Sequence, residues 1–158
     1  MKVVQFVCLL LMTSSILKGD RESWPLIYPQ SKNDKYHCKI WISSKLTRSE
    51  MENSMIYKKM STGRVGKKLF STNIESNDKY LTVYDLILLI ASKCDVPVMV
   101  DINLIKEMKK YSVSWNKSAP AGVVLKASFL LSESEVINRS DIRVNNKCLL
   151  IRRRSLKY

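Results

Sequence analysis

Glycine and proline are scarce in this chain of 158 residues, four of each. That scarcity excludes collagen-like and low-complexity architectures, and it fits a chain that packs a core. Cysteine is scarce as well. There are four, none at CxxC spacing, and a single histidine, His37. A disulfide-dense scaffold and a zinc site with recognisable ligand spacing are therefore both excluded. Neither a GxGxxG nor a P-loop sequence is present to cradle phosphates. No apolar run reaches the 18 or so residues that a membrane-spanning helix needs.

Acid–base chemistry is poorly supplied too. Any Ser-His-Asp or Cys-His arrangement must use His37. Cys38 adjoins it, and neighbours on a strand face opposite sides, so the two do not form a nucleophile–base pair. Asp85 and Asp101 flank apolar elements and read as helix-turn and strand-end residues. Glu133 and Glu135 sit between serines and read as a solvated loop, without the enclosure that shifts a carboxyl pKa. No catalytic, metal-binding or cofactor-binding residue is assigned, no cofactor is expected, and the chain reads as a non-enzyme.

What the chain does have is positive charge: 27 Lys and Arg against 14 Asp and Glu, a net +13. Such a chain is drawn to polyanions and acidic surfaces. Nine residues are assigned to an electrostatic binding face: Arg64, Lys67 and Lys68; Lys106, Lys109 and Lys110; and Arg152, Arg153 and Arg154. The partner is either an acidic protein or an anionic membrane surface. Trp41, Tyr57 and Tyr80 interleave with basic residues, but no nucleic-acid module is recognisable, so nucleic acid is the disfavoured partner. Oligomeric state is not legible.

Residues 1–19 have the form of a secretory signal peptide. Lys2 supplies the positive start, Val3 to Met12 the apolar stretch, and Thr13 to Ser15 the small residues for cleavage. Export would remove Cys8 and leave Cys38, Cys94 and Cys148. Residues 20–68 then read as an arm followed by a strand–helix segment. Tyr36, Cys38, Ile40 and Ile42 alternate as a strand, and Ser49 and Glu52 have capping-box spacing for a helix over about 49–60, stopped near Gly63. Arg64 to Lys68 reads as a basic turn.

From residue 69 onward the pattern is more regular. Leu69 to Ile74 reads as a strand. Thr82 caps a buried helix over 83–94, and Val98 to Val100 is a short strand stopped at Asp101. Ile102 to Met108 makes one helical turn with Ile102 and Ile105 inward. Tyr111, Val113 and Trp115 form the core side of a central strand. Ser118 caps a second helix with Pro120 in its first turn, and Val123 to Leu131 carries that helix's core face. Ile142 to Val144 and Cys148 to Ile151 make a hairpin around Asn145-Asn146. The fold expected is α+β: a small mixed sheet with two βαβ-like units, in the order β-α-β-β-α-β-β, plus the N-terminal strand–helix segment.

That order and these residues resemble the secretin and TonB N-terminus short domain. Leu81, Leu86, Leu89, Ile90 and Asp101 occupy the positions of its leucine, helix and valine-rich strand closing on Asp. Tyr111 to Trp115, Ala119 to Leu131 and Ile142 to Ile151 follow in its order. The resemblance covers about residues 69–152 and leaves 20–68 unmatched. The sequence departs from the pattern at Lys93-Cys94-Asp95, where the family has Thr-Gly or similar, and at Ala119 to Gly122, where the family more often has a carboxylate. The resemblance implies a domain over 69–158 with a basic tail, exported and either periplasmic or outer-membrane associated. It further implies non-catalytic protein–protein interaction with an envelope partner in a secretin-type secretion or TonB-dependent transport or signalling assembly. On that fold, a Cys94–Cys148 disulfide becomes a candidate. The alternative is a secreted basic protein that binds an anionic surface, whether lipid, polysaccharide or nucleic acid.

Overall fold

A computed structural model describes residues 27–29, 36–42 and 57–154. The expected signal peptide (1–19) and residues 49–56 of the helix expected over about 49–60 lie outside the described residues. Residues 57–60 form a turn rather than the end of that helix, and Tyr57 and Met60 are buried in it.

The described chain is a mixed α+β fold. Its strands divide among three sheets instead of the single sheet expected from the sequence. The largest has four strands. β1 (Ile27–Pro29) pairs antiparallel with β2 (His37–Ile42). β2 runs parallel to β6 (Ser112–Trp115), and β6 pairs antiparallel with β4 (Asn77–Thr82). β6 is thus an interior strand, as expected. Val113 and Trp115 are buried on it, but so is Ser114, and Tyr111 is only half-buried just before it. Asn116 prolongs the β2–β6 pairing with its side-chain amide. It accepts from the Ile42 N–H at 2.7 Å and donates to the Ile42 carbonyl at 3.2 Å.

The second sheet has three strands. β5 (Val98–Val100) runs parallel to β9 (Leu149–Arg152), which pairs antiparallel with β8 (Asp141–Val144). The hairpin lies where the sequence places it, although Cys148 falls just before β9 rather than within it. A two-residue pair, β3 (Asn73–Ile74) with β7 (Ala119–Pro120), makes the third. Sequence alternation shows that a stretch can be a strand, but pairings this far apart in the chain leave no local trace.

Among the described residues there are five helices. The stretch expected as a basic turn followed by a strand is helix α1 (Gly63–Ser71). Gly63 starts it at φ +74°, a conformation costly for other residues, and Asn146 of the β8–β9 turn supplies the missing cap by accepting the Arg64 N–H at 3.3 Å. Gly66 lies against the backbone of Met60 and Ser61, where a Cβ would fall 2.5 Å from the Met60 carbonyl oxygen. Both glycines thus permit the helix instead of ending it.

α2 (Val83–Cys94) matches its expected bounds. The Thr82 hydroxyl oxygen accepts the Asp85 N–H at 3.0 Å. It ends at Asp95 in the left-handed region, φ 49°, at the turn where the resemblance expects glycine. Lys68 reaches across from α1 and donates to the Asp95 carbonyl at 2.8 Å and its carboxylate at 2.9 Å. α3 (Ile102–Met108) buries Leu104 and Met108, not Ile102, which is 77% exposed. The cause is the cap. Asp101 accepts the Asn103 N–H at 2.9 Å, and that start turns Leu104 and Met108, one helical turn apart, toward the core.

α4 (Ala121–Leu130) begins one residue after Pro120, so Ser118 does not cap it. It is buried on almost every side and packs against α1, α2 and β2. α5 (Glu135–Asn138) is a four-residue helix where a loop was expected, capped by Ser134. One continuous core joins these parts. It runs from Ile40, Tyr57 and Val65 through Leu86, Trp115 and Val124 to Leu149 and Ile151, so residues on both sides of position 68 share it. Among the described residues no helix is long and apolar enough to cross a membrane.

A basic cleft as candidate functional site

The hairpin β8–β9, helix α5 and the residues after β9 enclose a cleft of about 1420 Å³. Its lining carries six cations, Lys59, Arg139, Arg143, Arg152, Arg153 and Arg154, against three carboxylates, Asp101, Glu135 and Asp141. The carboxylates are already engaged. Asp141 sits opposite Arg152 in the hairpin register. It accepts from Arg143 Nε at 2.7 Å and lies 3.5 Å from Arg152 Nε, so one anion serves two guanidinium groups. Asp101 is occupied by the cap of α3 and by the Arg153 backbone N–H at 3.4 Å. Glu135 and Arg139 are 3.9 Å apart with both side chains mostly in solvent, a contact worth little. Among the described residues, no carboxylate lies within ion-pair distance of the Lys59, Arg153 or Arg154 side chains.

The titration of the lining groups follows from this arrangement. Burial alone would raise the Asp141 carboxyl pKa. The Arg143 hydrogen bond and the charges of Arg143 and Arg152 outweigh it and hold that carboxyl below its ordinary value. Asp101 is held low chiefly by the Asn103 N–H. Lys126 of α4 is pushed below the usual ammonium range by burial. Asp141 opposes that shift and Lys59 adds to it. The cleft therefore keeps an excess of cations, with Asp101 and Asp141 held low and spent on internal contacts.

Of the nine residues expected on the electrostatic face, Arg152, Arg153 and Arg154 line this cleft. The other six do not. Arg64, Lys67 and Lys68 lie on α1, where Lys68 is committed to Asp95. Lys106 is exposed on α3. Lys109 lies over the Tyr84 ring, 5.0 Å from its centroid, and Lys110 pairs with Glu107 at 3.3 Å. Lys59, Arg139 and Arg143 complete the cleft but stand outside the nine. Arg139 and Arg143 are isolated cations in the sequence. The signal that could have found them is the hairpin register, which puts Arg143 and Arg152 on one face with Asp141 between them.

A second, small cleft is lined by His37, Cys38, Ser112 and Glu133 among others. His37 Nδ1 lies 2.9 Å from the Ser112 hydroxyl and Nε2 lies 3.1 Å from that of Ser114, with the ring against Tyr80. The spacing of Ser112 and Ser114 on one strand face could have suggested this pairing. Cys38 points to the opposite, core-facing side of β2. Burial, and secondarily Glu133, push its thiol up to about 12, so it is not a nucleophile at neutral pH.

Cys94 and Cys148 are both free thiols, so the candidate bridge between them is not formed. Cys94 is buried at the end of α2, where burial raises its pKa against a Thr72 hydrogen bond, while Cys148 lies at the hairpin turn. Tyr57 is fully in the core and unavailable for base stacking. Among the described residues, no group of three or more His, Cys, Asp or Glu is placed to hold a metal ion. No family model matches the chain, nor does any curated protein or solved structure.

Proposed function

We propose that this chain is an exported, non-catalytic interaction domain that docks an acidic face of a protein partner through the basic cleft. The observation that carries the reading is the cleft's six cations against three internally committed carboxylates. Of the six, Lys59, Arg153 and Arg154 have no carboxylate within ion-pair distance among the described residues, and such cations attract and orient an acidic partner. The resemblance of residues 81–101 and of the segments after them to the secretin and TonB short domain supports a place in the bacterial envelope, periplasmic or outer-membrane associated. There the domain would act as an accessory of a secretin-type or TonB-dependent assembly. The run of α2, β5, α3, β6, α4 and the closing hairpin has the element order that the resemblance implies, although β6 lies in one sheet and β5, β8 and β9 in another.

The test is capture of an acidic protein by the immobilised full chain from an envelope extract. The double variant Arg153→Glu/Arg154→Glu should lose the captured protein, because neither side chain has an internal ion pair to break. Lys106→Glu/Lys109→Glu/Lys110→Glu should keep it. The same cleft favours a second reading, a secreted basic protein on an anionic surface. That reading replaces the first if nuclease, lipid extraction or polysaccharide digestion abolishes capture, with a steep loss as salt rises.

A further inference from the structure

We infer that the acidic partner binds as an extended peptide, adding itself as a fourth strand along the free edge of β8. This rests on the reading of the cleft as an acidic docking site. It follows from which way each backbone group of the hairpin points.

β9 is the middle strand of its sheet. The Leu149 N–H donates to the Pro97 carbonyl at 2.9 Å, and the Ile151 carbonyl accepts the Asp101 N–H at 2.9 Å. Leu149 and Ile151 therefore turn their backbone groups toward β5. Leu150 and Arg152 must turn theirs toward β8, where the register sets them opposite Arg143 and Asp141. The bond from the Asn145 N–H to the Cys148 carbonyl, 3.2 Å, falls on the same phase. Alternation then leaves Ile142 and Val144 with their N–H and C=O groups directed away from β9, at the sheet's edge. Both residues line the cleft.

Natural sheets guard such edges with short strands, charged side chains, proline, a bulge or a covering element, and β8 is short and carries Asp141 and Arg143. β8 has no proline, and its pairing with β9 runs without a register break. Its outward side chains, Asp141 and Arg143, share a face with Arg152, while Ile142 is buried toward the core. An incoming strand repeats its side-chain direction every second residue, about 6.6 Å along the chain. Its residues on the arginine face would meet Arg143 directly and Arg152 across β8, two cations against the single carboxylate of Asp141, and should be carboxylates. Arg139, Arg153 and Arg154 extend the positive field past the ends of the pairing. The occupant is thus a segment with Asp or Glu at alternate positions and apolar residues between them. Its backbone supplies affinity through the ladder and its carboxylates supply selection. A lipid headgroup or a nucleic acid could use the charge but has no peptide ladder to offer the two outward residues.

The experiment uses the full chain and a capped Glu-Val-Glu-Val-Glu-Val peptide. Two N-methylated versions, blocked at alternate amides in opposite phases, keep all the charge. The parent peptide should bind, and slow amide exchange at Ile142 and Val144 by about tenfold or more. One N-methylated phase should bind at least tenfold more weakly and the other should bind as the parent does. If both phases bind like the parent and Ile142 and Val144 stay unprotected, strand addition is wrong while acidic docking stands. If no peptide binds, but heparin or phosphatidylglycerol vesicles bind and Arg153→Glu/Arg154→Glu abolishes it, both readings fall.

Discussion

The four-stranded and three-stranded sheets manage their polar groups in opposite ways. On the four-stranded side, several polar side chains are paired inside the fold, while the buried Trp115 Nε1 has no hydrogen-bond partner among the described residues. His37 is held between two serine hydroxyls, and Asn116 completes a strand pairing with its side chain. On the three-stranded side, three carboxylates stand against six cations, and the phase of the β8–β9 pairing directs the Ile142 and Val144 backbone groups away from β9. What the four-stranded half leaves exposed includes the aromatic side chains of Trp41 and Tyr80. The other carries a surplus of both charge and hydrogen-bonding capacity, so binding function is sought there. Since one core joins the two, the difference lies in their surfaces, not in separate folding units.

The largest expected effect tests that joint core. Trp115 is fully buried, and Trp115→Ala should cost about 3–5 kcal/mol. Thermal unfolding should remain one transition at a lower midpoint. Amide protection at Ile151, in the other sheet, should fall together with that at Val113. Persistent protection at Ile151 alone would split the halves.

The thiols sharpen the contrast between surfaces. Cys38, on the core side of β2, has a pKa of about 12, whereas Cys148 sits half-buried beside the hairpin turn. At neutral pH the Cys38 thiolate fraction is on the order of one in 10⁵. Iodoacetamide should label Cys148 roughly 100-fold faster, as read by peptide mass spectrometry, until denaturant equalises the two. Next comes the junction between helices. A Cβ on Gly122 of α4 would fall 2.5 Å from the ring of buried Phe70 on α1, so Gly122→Ala should cost about 1–3 kcal/mol in a denaturant titration.

The smallest effect belongs to the open half. The Asp141 pKa is lower folded than its ordinary 3.8. Its contribution is therefore present above pH 4 and disappears as pH falls through the folded value. With solvent screening the contribution should stay below about 1 kcal/mol. Asp141→Asn should flatten the acid limb of the stability curve slightly. It should also tighten acidic ligands at neutral pH, since it leaves Arg143 and Arg152 uncompensated.

Elements governed by local chemistry were legible in the sequence. α2 declares itself through the Thr82 cap and an apolar face, and the hairpin through Asn145-Asn146 between two apolar stretches. α1 was hidden because two glycines read as breaks, while in the fold one sits at a left-handed start and the other allows close backbone approach. α4 concealed its boundaries because a helix buried nearly all round has no polar face to mark it. The candidate site was half legible. Arg152 to Arg154 form a visible cluster, whereas Arg139 and Arg143 join it only through the turn of α5 and the register of β8. Adjacency in sequence also grouped Lys106, Lys109 and Lys110 as a face, yet two of those three are engaged by a ring and a carboxylate next to them.

The middle strand of the three-stranded sheet has a consequence in time. β9 is the last described element, and it must enter between β5, some 50 residues earlier, and β8. Until it arrives, neither neighbour has a partner and the arginines that follow it have no place. Contacts this distant in sequence form late. On a chain synthesised from its N-terminus, the cleft is then among the last features to form, and only a molecule whose folding is already finished presents it.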